Sequence, residues 1–296
     1  MDDPDWRRDA LTDTREHIHA FFKLTNNILE MKGDYEPTHL EGWLLSVIQY
    51  RIKKIEASMN ELRTRTALEN ALFEVWKDLR WYFRRADNPN PTTIGQFLNI
   101  WIRLLSPFIP HLCEEVWQKM GKGGFIALSN WPIYDKSKTD LAAEEGEGLI
   151  KKILEDTNGI TKIMKTPPQK IIYYVSSRWK WDIFIKILGE DNTSVGELIG
   201  KALQNDELIG KVDKKKIVGY IKKMTENIAR FPKELKQNRL KVGHIDEYEI
   251  VQNAKSFLKR ELNCEVEVFR EDESSRYDPE DRACLSQPYR PGIYIE

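Results

Sequence analysis

Apolar residues recur at helical spacing through the first 132 residues of the chain. From Trp6 to about Glu30 they fall at Leu11, Ile18, Phe21, Phe22, Ile28 and Leu29, which predicts a first helix. Residues 34–37, DYEP, read as a turn, and Thr38 with Glu41 has the spacing of a capping box. Leu44, Ile48, Ile52, Ile55, Met59 and Leu62 then follow at intervals of three and four, the buried stripe of a second helix. A third, over about 66–86, turns Leu72, Val75, Trp76, Leu79 and Phe83 inward. The breaker DNPNP at 87–91 separates it from a fourth, capped by Thr93 with Gln96 and buried along Ile94, Phe97, Leu98, Trp101, Leu104, Leu105 and Phe108. Pro107 disfavours helical geometry at Ser106, so the pattern breaks there. It restarts at Pro110, which suits a first turn, with Glu114 and Glu115 near the positive end of the dipole and Gly121 to close. Four or five helices with short connections make an antiparallel bundle over residues 1–132.

A polar linker, 133–140, leads to a different pattern. A helix over about 142–156 precedes KIIYYV (170–175), whose β-branched and aromatic content reads as a buried strand. Helices follow over about 179–188, 195–203, 213–229 and 245–262, the last with Ile250, Ala254, Phe257 and Leu258 inward. Residues 264–270 alternate as a strand, and 292–295 form a short final one. Residues 141–296 are therefore expected to make a small α+β domain, and the whole chain a mainly α protein.

With 296 residues, 41% of them hydrophobic, the chain has enough apolar material for two ordinary cores. No apolar run approaches the roughly 20 residues that span a bilayer. The acidic start MDDPDW does not resemble a signal peptide. A cytoplasmic protein without a membrane partner is expected. Cys113, Cys264 and Cys284 lack CxxC spacing, which argues against a disulfide framework and a zinc site, so they are expected to be reduced and structural.

The formal net charge of −1 hides a segregation. On the third helix Lys77, Arg80, Trp81, Arg84 and Arg85 recur at i, i+3, i+4, i+7 and i+8, four cations and an indole on one stripe. Such a surface can pair with phosphates and stack on a base or sugar. It would also serve as a solvated basic face with Trp81 packed on a neighbour. Between Lys211 and Lys241 eleven Lys and Arg stand against three acids, whereas 262–296 holds nine acids and four bases. Lys211, Lys214, Lys215, Lys216, Lys222 and Lys223 of that block are candidate RNA contacts through charge. Nothing in it resembles a base-reading motif such as an RNP aromatic pair or a KH loop.

Catalytic motifs are missing. KMGKG (119–123) superficially resembles the KMSKS nucleotide loop, and HIHA (17–20) the HIGH motif. The first closes a helix and lacks both serines. The second lies in an amphipathic helix without the glycine that lets ATP approach a helix N-terminus. No Walker loop, GxGxxG, HExxH or GxSxG occurs. His111, without a paired carboxylate or serine, reads as a packed histidine at a helix start.

The string LLSPFIPHLCEEVWQKMG (104–121), with SNWP (129–132) after it, resembles the anticodon-binding helical domain of class I aminoacyl-tRNA synthetases for aliphatic amino acids. DLRWYFRR (78–85) and the terminal PGIYIE (291–296) look like the leucyl type found in archaea and eukaryotes. The resemblance covers nearly the whole chain. It implies the C-terminal, tRNA-holding part of such an enzyme, with leucine tRNA as partner. The bundle would grip the inner corner and stem, and the second domain would reach the long variable arm. Catalytic residues, metal and cofactors are expected to be absent from this chain. ATP and Mg²⁺ would act in a catalytic region absent from this chain, whether the chain is a subunit from a split gene, the product of a truncated gene or a piece of a longer protein. A free-standing RNA-binding or assembly module, and the same region of an isoleucyl, valyl or methionyl enzyme, remain as alternatives.

Overall fold

The computed structural model describes residues 8–33, 35–164, 166–190 and 194–296. The chain divides into two compact units, Met1–Ala143 and Glu144–Glu296. The first is a helical bundle and the second a small α+β fold around a three-stranded sheet. Among the described residues no helix is long and apolar enough to cross a membrane.

The first unit opens with α1 (Arg8–Glu30) and α2 (His39–Asn60). The expected start at Trp6 and the turn residue Asp34 lie outside the described residues. Thr38 caps α2 as a full capping box, its backbone N–H donating to Glu41 Oε2 at 2.6 Å. The buried stripe of α2 ends one turn before Leu62, which is 84% exposed with φ 57°, because the helix has already stopped at Asn60. The third sequence helix is a composite. α3 (Thr64–Leu68) runs through a π-helical stretch (Glu69–Glu74) into α4 (Val75–Arg85). Inside that wide stretch the carbonyl of Ala71 accepts the indole N–H of the fully buried Trp101 at 2.7 Å. The indole nitrogen is thereby satisfied at the centre of the core, where Phe21 and Trp76 meet Trp101 edge-on.

α5 (Pro91–Leu105) is capped by Asn90 rather than by Thr93 with Gln96: Asn90 Oδ1 accepts the Thr93 N–H at 2.9 Å, and Pro91 takes the first helical position. The break at Pro107 is present, and α6 (Pro110–Lys119) restarts at Pro110. Gly121, at φ +70°, closes it with a bond from its N–H to the Gln118 carbonyl at 2.9 Å. His111 is exposed on the first turn of α6, not packed. Residues 133–140 lie against α2: Asp135 N–H donates to Gln49 at 2.8 Å, Asp140 N–H to Ser46 at 2.7 Å, and the Lys53 ammonium sits 3.7 Å from the Tyr134 ring centre.

The second unit is built around β1 (Lys170–Val175), whose last five residues are all buried. It follows α7 (Leu141–Thr161) and is the central strand, parallel to β2 (Glu265–Arg270) and antiparallel to β3 (Gly292–Ile295). A parallel pair needs a crossover, and here the crossover is the run α8 (Arg178–Gly189), α9 (Val195–Leu203), α10 (Asp206–Lys211), α11 (Lys214–Ala229), α12 (Lys233–Val242), α13 (Glu247–Asn253) and α14 (Lys255–Leu262). The expected single helix over 245–262 is two, parted at Ala254.

Two buried charges hold the crossover to the sheet. Lys180 Nζ pairs with Glu271 Oε1 at 2.7 Å and donates to the Cys284 and Ser286 carbonyls at 3.0 and 2.7 Å. Glu247 is fully enclosed, accepting the backbone N–H groups of Tyr289 (2.6 Å) and Ser176 (3.2 Å). Burial outweighs those bonds and pushes its carboxyl up to about 7. All three cysteines are free. Cys113 is buried and its thiol is pushed up by burial to about 12, whereas Cys284 is exposed, so it is not a packing residue as expected.

Candidate nucleic-acid interface

The basic stripe of the first unit stands on α4. Leu79 and Tyr82 bury one side of this helix completely, and that fixes which residues face water. Lys77 is exposed, with its ammonium 2.6 Å from Glu74, whose carboxyl it holds below the usual range. Arg80 is exposed and carries no ion pair among the described residues. Trp81 is half-buried against the bundle core, and the exposed Arg84 lies 5.7 Å over its ring. Arg85 does not join them. It is 4% exposed, because at about 100° per residue it stands some 80° round the helix from Lys77 and beside the buried Asp78 and Tyr82. The exposed stripe is therefore Lys77, Arg80 and Arg84 beside one face of an indole.

Its base is a charged knot that the sequence did not reveal. Arg51 of α2 forks onto Asp78, Nε at 2.7 Å and Nη2 at 3.2 Å, and reaches Glu74 at 3.4 Å. Glu74 thus links Lys77 to Arg51. The two acids that punctuate the stripe face this knot, leaving the outer side cationic.

In the second unit Lys214, Lys215 and Lys216 occupy the first turn of α11, all exposed, above a buried face of Ile217, Tyr220, Ile221, Met224 and Ile228. Asp213 caps the helix, accepting from the N–H groups of Lys215 (2.8 Å) and Lys216 (3.3 Å). Three lysines at the positive end of a helix dipole oppose helix stability, so the fold does not account for them. Lys222 and Lys223 are exposed further along, and the side chain of Lys211 lies outside the described residues. The block up to Lys241 is not one surface. Arg239 turns inward onto Glu145 (3.0 Å) and over the Tyr289 ring (3.8 Å), a structural position.

Lys223 reaches an open cleft of about 880 Å³ that also gathers Lys162 from beyond α7, Arg282 and Arg290 together with Glu155 and Asp156, with β3 along one wall; Arg290 pairs there with Asp156 at 3.1 Å and Arg282 with Glu280 at 2.9 Å. Sequence reading missed the three basic partners, since two lie in the stretch counted as acidic. The acids there are largely used locally: Glu271 holds Lys180, Glu267 pairs with Lys170, Glu265 with Lys259, and Asp278 accepts the N–H groups of Arg282 and Ala283. No cluster of three His, Cys, Asp or Glu able to hold a metal occurs among the described residues.

Residues 41–173 match the family model described as the anticodon-binding domain of tRNA ligase. Over those residues the chain matches that domain, and along its whole length it is similar to leucine–tRNA ligases. It is 34% identical to that of Methanococcoides burtonii over 100% of this chain and 31% of the relative, and 32% identical to that of Methanothrix thermoacetophila over 99% and 30%. The Pyrococcus abyssi leucine–tRNA ligase is 30% identical over 99% of this chain and 29% of its own length. The chain thus spans about three tenths of the length of the curated relatives it matches. A solved LeuRS complex with tRNA from Agrobacterium radiobacter aligns over 46% of this chain and 18% of its own at 21% identity, with a TM-score of 0.39, too slight to place any element.

Proposed function

We propose that this chain is the C-terminal, tRNA-holding portion of a leucine–tRNA ligase, acting in the cytoplasm on leucine tRNA. The ATP- and Mg²⁺-dependent leucylation, and editing, would be carried out by a catalytic region outside the matched three tenths, whether in the same polypeptide or in a partner subunit. The observation that supports the reading is the match of this whole chain to about three tenths of the length of leucine–tRNA ligases. The exposed cations of both units supply the chemistry.

Mechanistically such a portion contributes position. Lys77, Arg80 and Arg84 would pair with phosphates of the inner corner and stem, with Trp81 offering part of a ring face. Lys214, Lys215, Lys216, Lys222 and Lys223, with the cleft of Lys162, Arg282 and Arg290, would meet the variable arm. Holding an L-shaped tRNA at two places fixes where its 3′ end arrives, so the chemical step elsewhere gains effective concentration. Phosphate contacts carry no sequence information, so discrimination would come from the shape of the arm or a few base-edge contacts.

The reading is tested by titrating leucine tRNA with the purified chain over a salt series, alongside leucine-dependent ATP–pyrophosphate exchange. Salt-sensitive tRNA binding without exchange is expected. Exchange by the chain alone, or no tRNA binding at low salt, would defeat the proposal.

A further inference from the structure

Between α2 and α5 the first unit holds a second feature, a cleft of about 510 Å³ that neither the α4 stripe nor the core uses. Gln49 of α2 and Gln96, Asn99 and Arg103 of α5 line it, with Trp131, Asp135 and Lys138 from the following segment. Its size is that of a small-ligand site.

The groups in it are under-used. Arg103 forms no ion pair among the described residues. Its Nε donates to the Asn99 carbonyl at 3.0 Å and its Nη1 to the Asn130 carbonyl at 3.1 Å. A guanidinium has five N–H donors, so three remain. Burial alone pulls this arginine's pKa down, with no acid to offset it. Oδ1 of Asn99 is buried without a hydrogen-bond partner, which is costly to maintain in a folded protein. Gln49 receives the Asp135 N–H on Oε1 at 2.8 Å, which leaves its amide N–H groups, and Gln96 is exposed. The one carboxylate, Asp135, is committed to Ser137 through N–H (2.9 Å) and hydroxyl (2.7 Å) bonds. Arg103 and Lys138 therefore leave the cleft cationic.

A planar fork with free donors matches a phosphate. Neighbouring amides present the mixed donor and acceptor edges that an unpaired base demands, and a half-buried indole offers a stacking face. An acidic peptide would satisfy the cations and leave the amides idle. We propose that this cleft binds one unpaired ribonucleotide, its phosphate on Arg103 and its base edge on the Gln49, Gln96 and Asn99 amides. Only the source of that nucleotide, an unpaired position of a bound tRNA, rests on the function proposed above.

The test is an NMR titration of the full chain with the four ribonucleoside 5′-monophosphates, their nucleosides and inorganic phosphate. The Trp131 indole N–H and Arg103 Nε–H signals are expected to move most with a monophosphate. Arg103→Lys keeps the charge but loses the fork, and is expected to weaken the best monophosphate roughly tenfold. Gln96→Ala, at an exposed side chain, is expected to weaken it about threefold. Unchanged affinity in both variants, with unchanged circular dichroism, would overturn the proposal. Equal response to inorganic phosphate, meaning an adventitious anion only, would overturn it too. A chain that binds leucine tRNA while its cleft ignores all four monophosphates overturns the cleft alone. Monophosphate shifts in a chain that ignores tRNA support the cleft and overturn the tRNA reading.

Discussion

Arg84 and Arg85 are adjacent in sequence and opposite in role. Arg84 faces water over Trp81, and Arg85 is buried. If the stripe meets phosphates, Arg80→Ala and Arg84→Ala are each expected to weaken tRNA binding nearly uniformly across sequences. Each lost contact should flatten the log–log salt dependence by roughly 0.7 to 0.9. Arg85→Ala is expected instead to lower the melting temperature with the salt slope unchanged. The stripe was legible from its i, i+3, i+4, i+7 spacing. The defection of Arg85 was not, because residues at the edge of a helix face are assigned by what the neighbouring helix covers. Glu247 was equally hidden, a carboxylate in an ordinary amphipathic run. Its folded pKa, near 7, stands above the unfolded value, so the native state holds the proton more tightly and stability falls as pH rises from about 4.5 through 7. Each pH unit of difference is worth about 1.4 kcal/mol. Glu247→Gln keeps an acceptor for the Ser176 and Tyr289 N–H groups and is expected to flatten that pH dependence, measured by denaturant unfolding between pH 5 and 8.

At the scale of elements, long periodic helices and the proline break could be read from the chain, because stripes such as Leu44, Ile48, Ile52 and Ile55 repeat over several turns. The capping box at Thr38 was legible for the same reason, two side chains at fixed spacing. Thr38→Ala is expected to cost about 0.5–2 kcal/mol, measured by thermal unfolding. What escaped was short or cooperative. α10 has too few turns for a period to show, and α12 buries no residue fully and so carries no apolar stripe. The π-helical stretch at Glu69–Glu74 carries the Ala71 carbonyl that meets Trp101, a tertiary partner thirty residues on. The cap of α5 went to Asn90, since Asn before Pro at the first helical position outcompetes a later threonine.

For the whole molecule, the class of fold followed from two regimes of periodicity, and the family from strings that periodicity does not explain. The candidate interface of the second unit was half legible. Lysine density in α11 pointed to it, but Lys162, Arg282 and Arg290 come to the Lys223 cleft from distant segments. Counting charges by sequence window cannot find a site assembled by a crossover. The central claim is that the chain holds leucine tRNA by shape, through both units. It is tested most directly by competitive binding of the full chain, at one stated salt concentration, between intact leucine tRNA and the same tRNA with its long variable arm trimmed. Preference for the intact molecule, reduced when Lys222 and Lys223 are both changed to Ala, is the result expected. Equal affinity for the two tRNAs would contradict it and leave the basic surfaces as non-specific electrostatics.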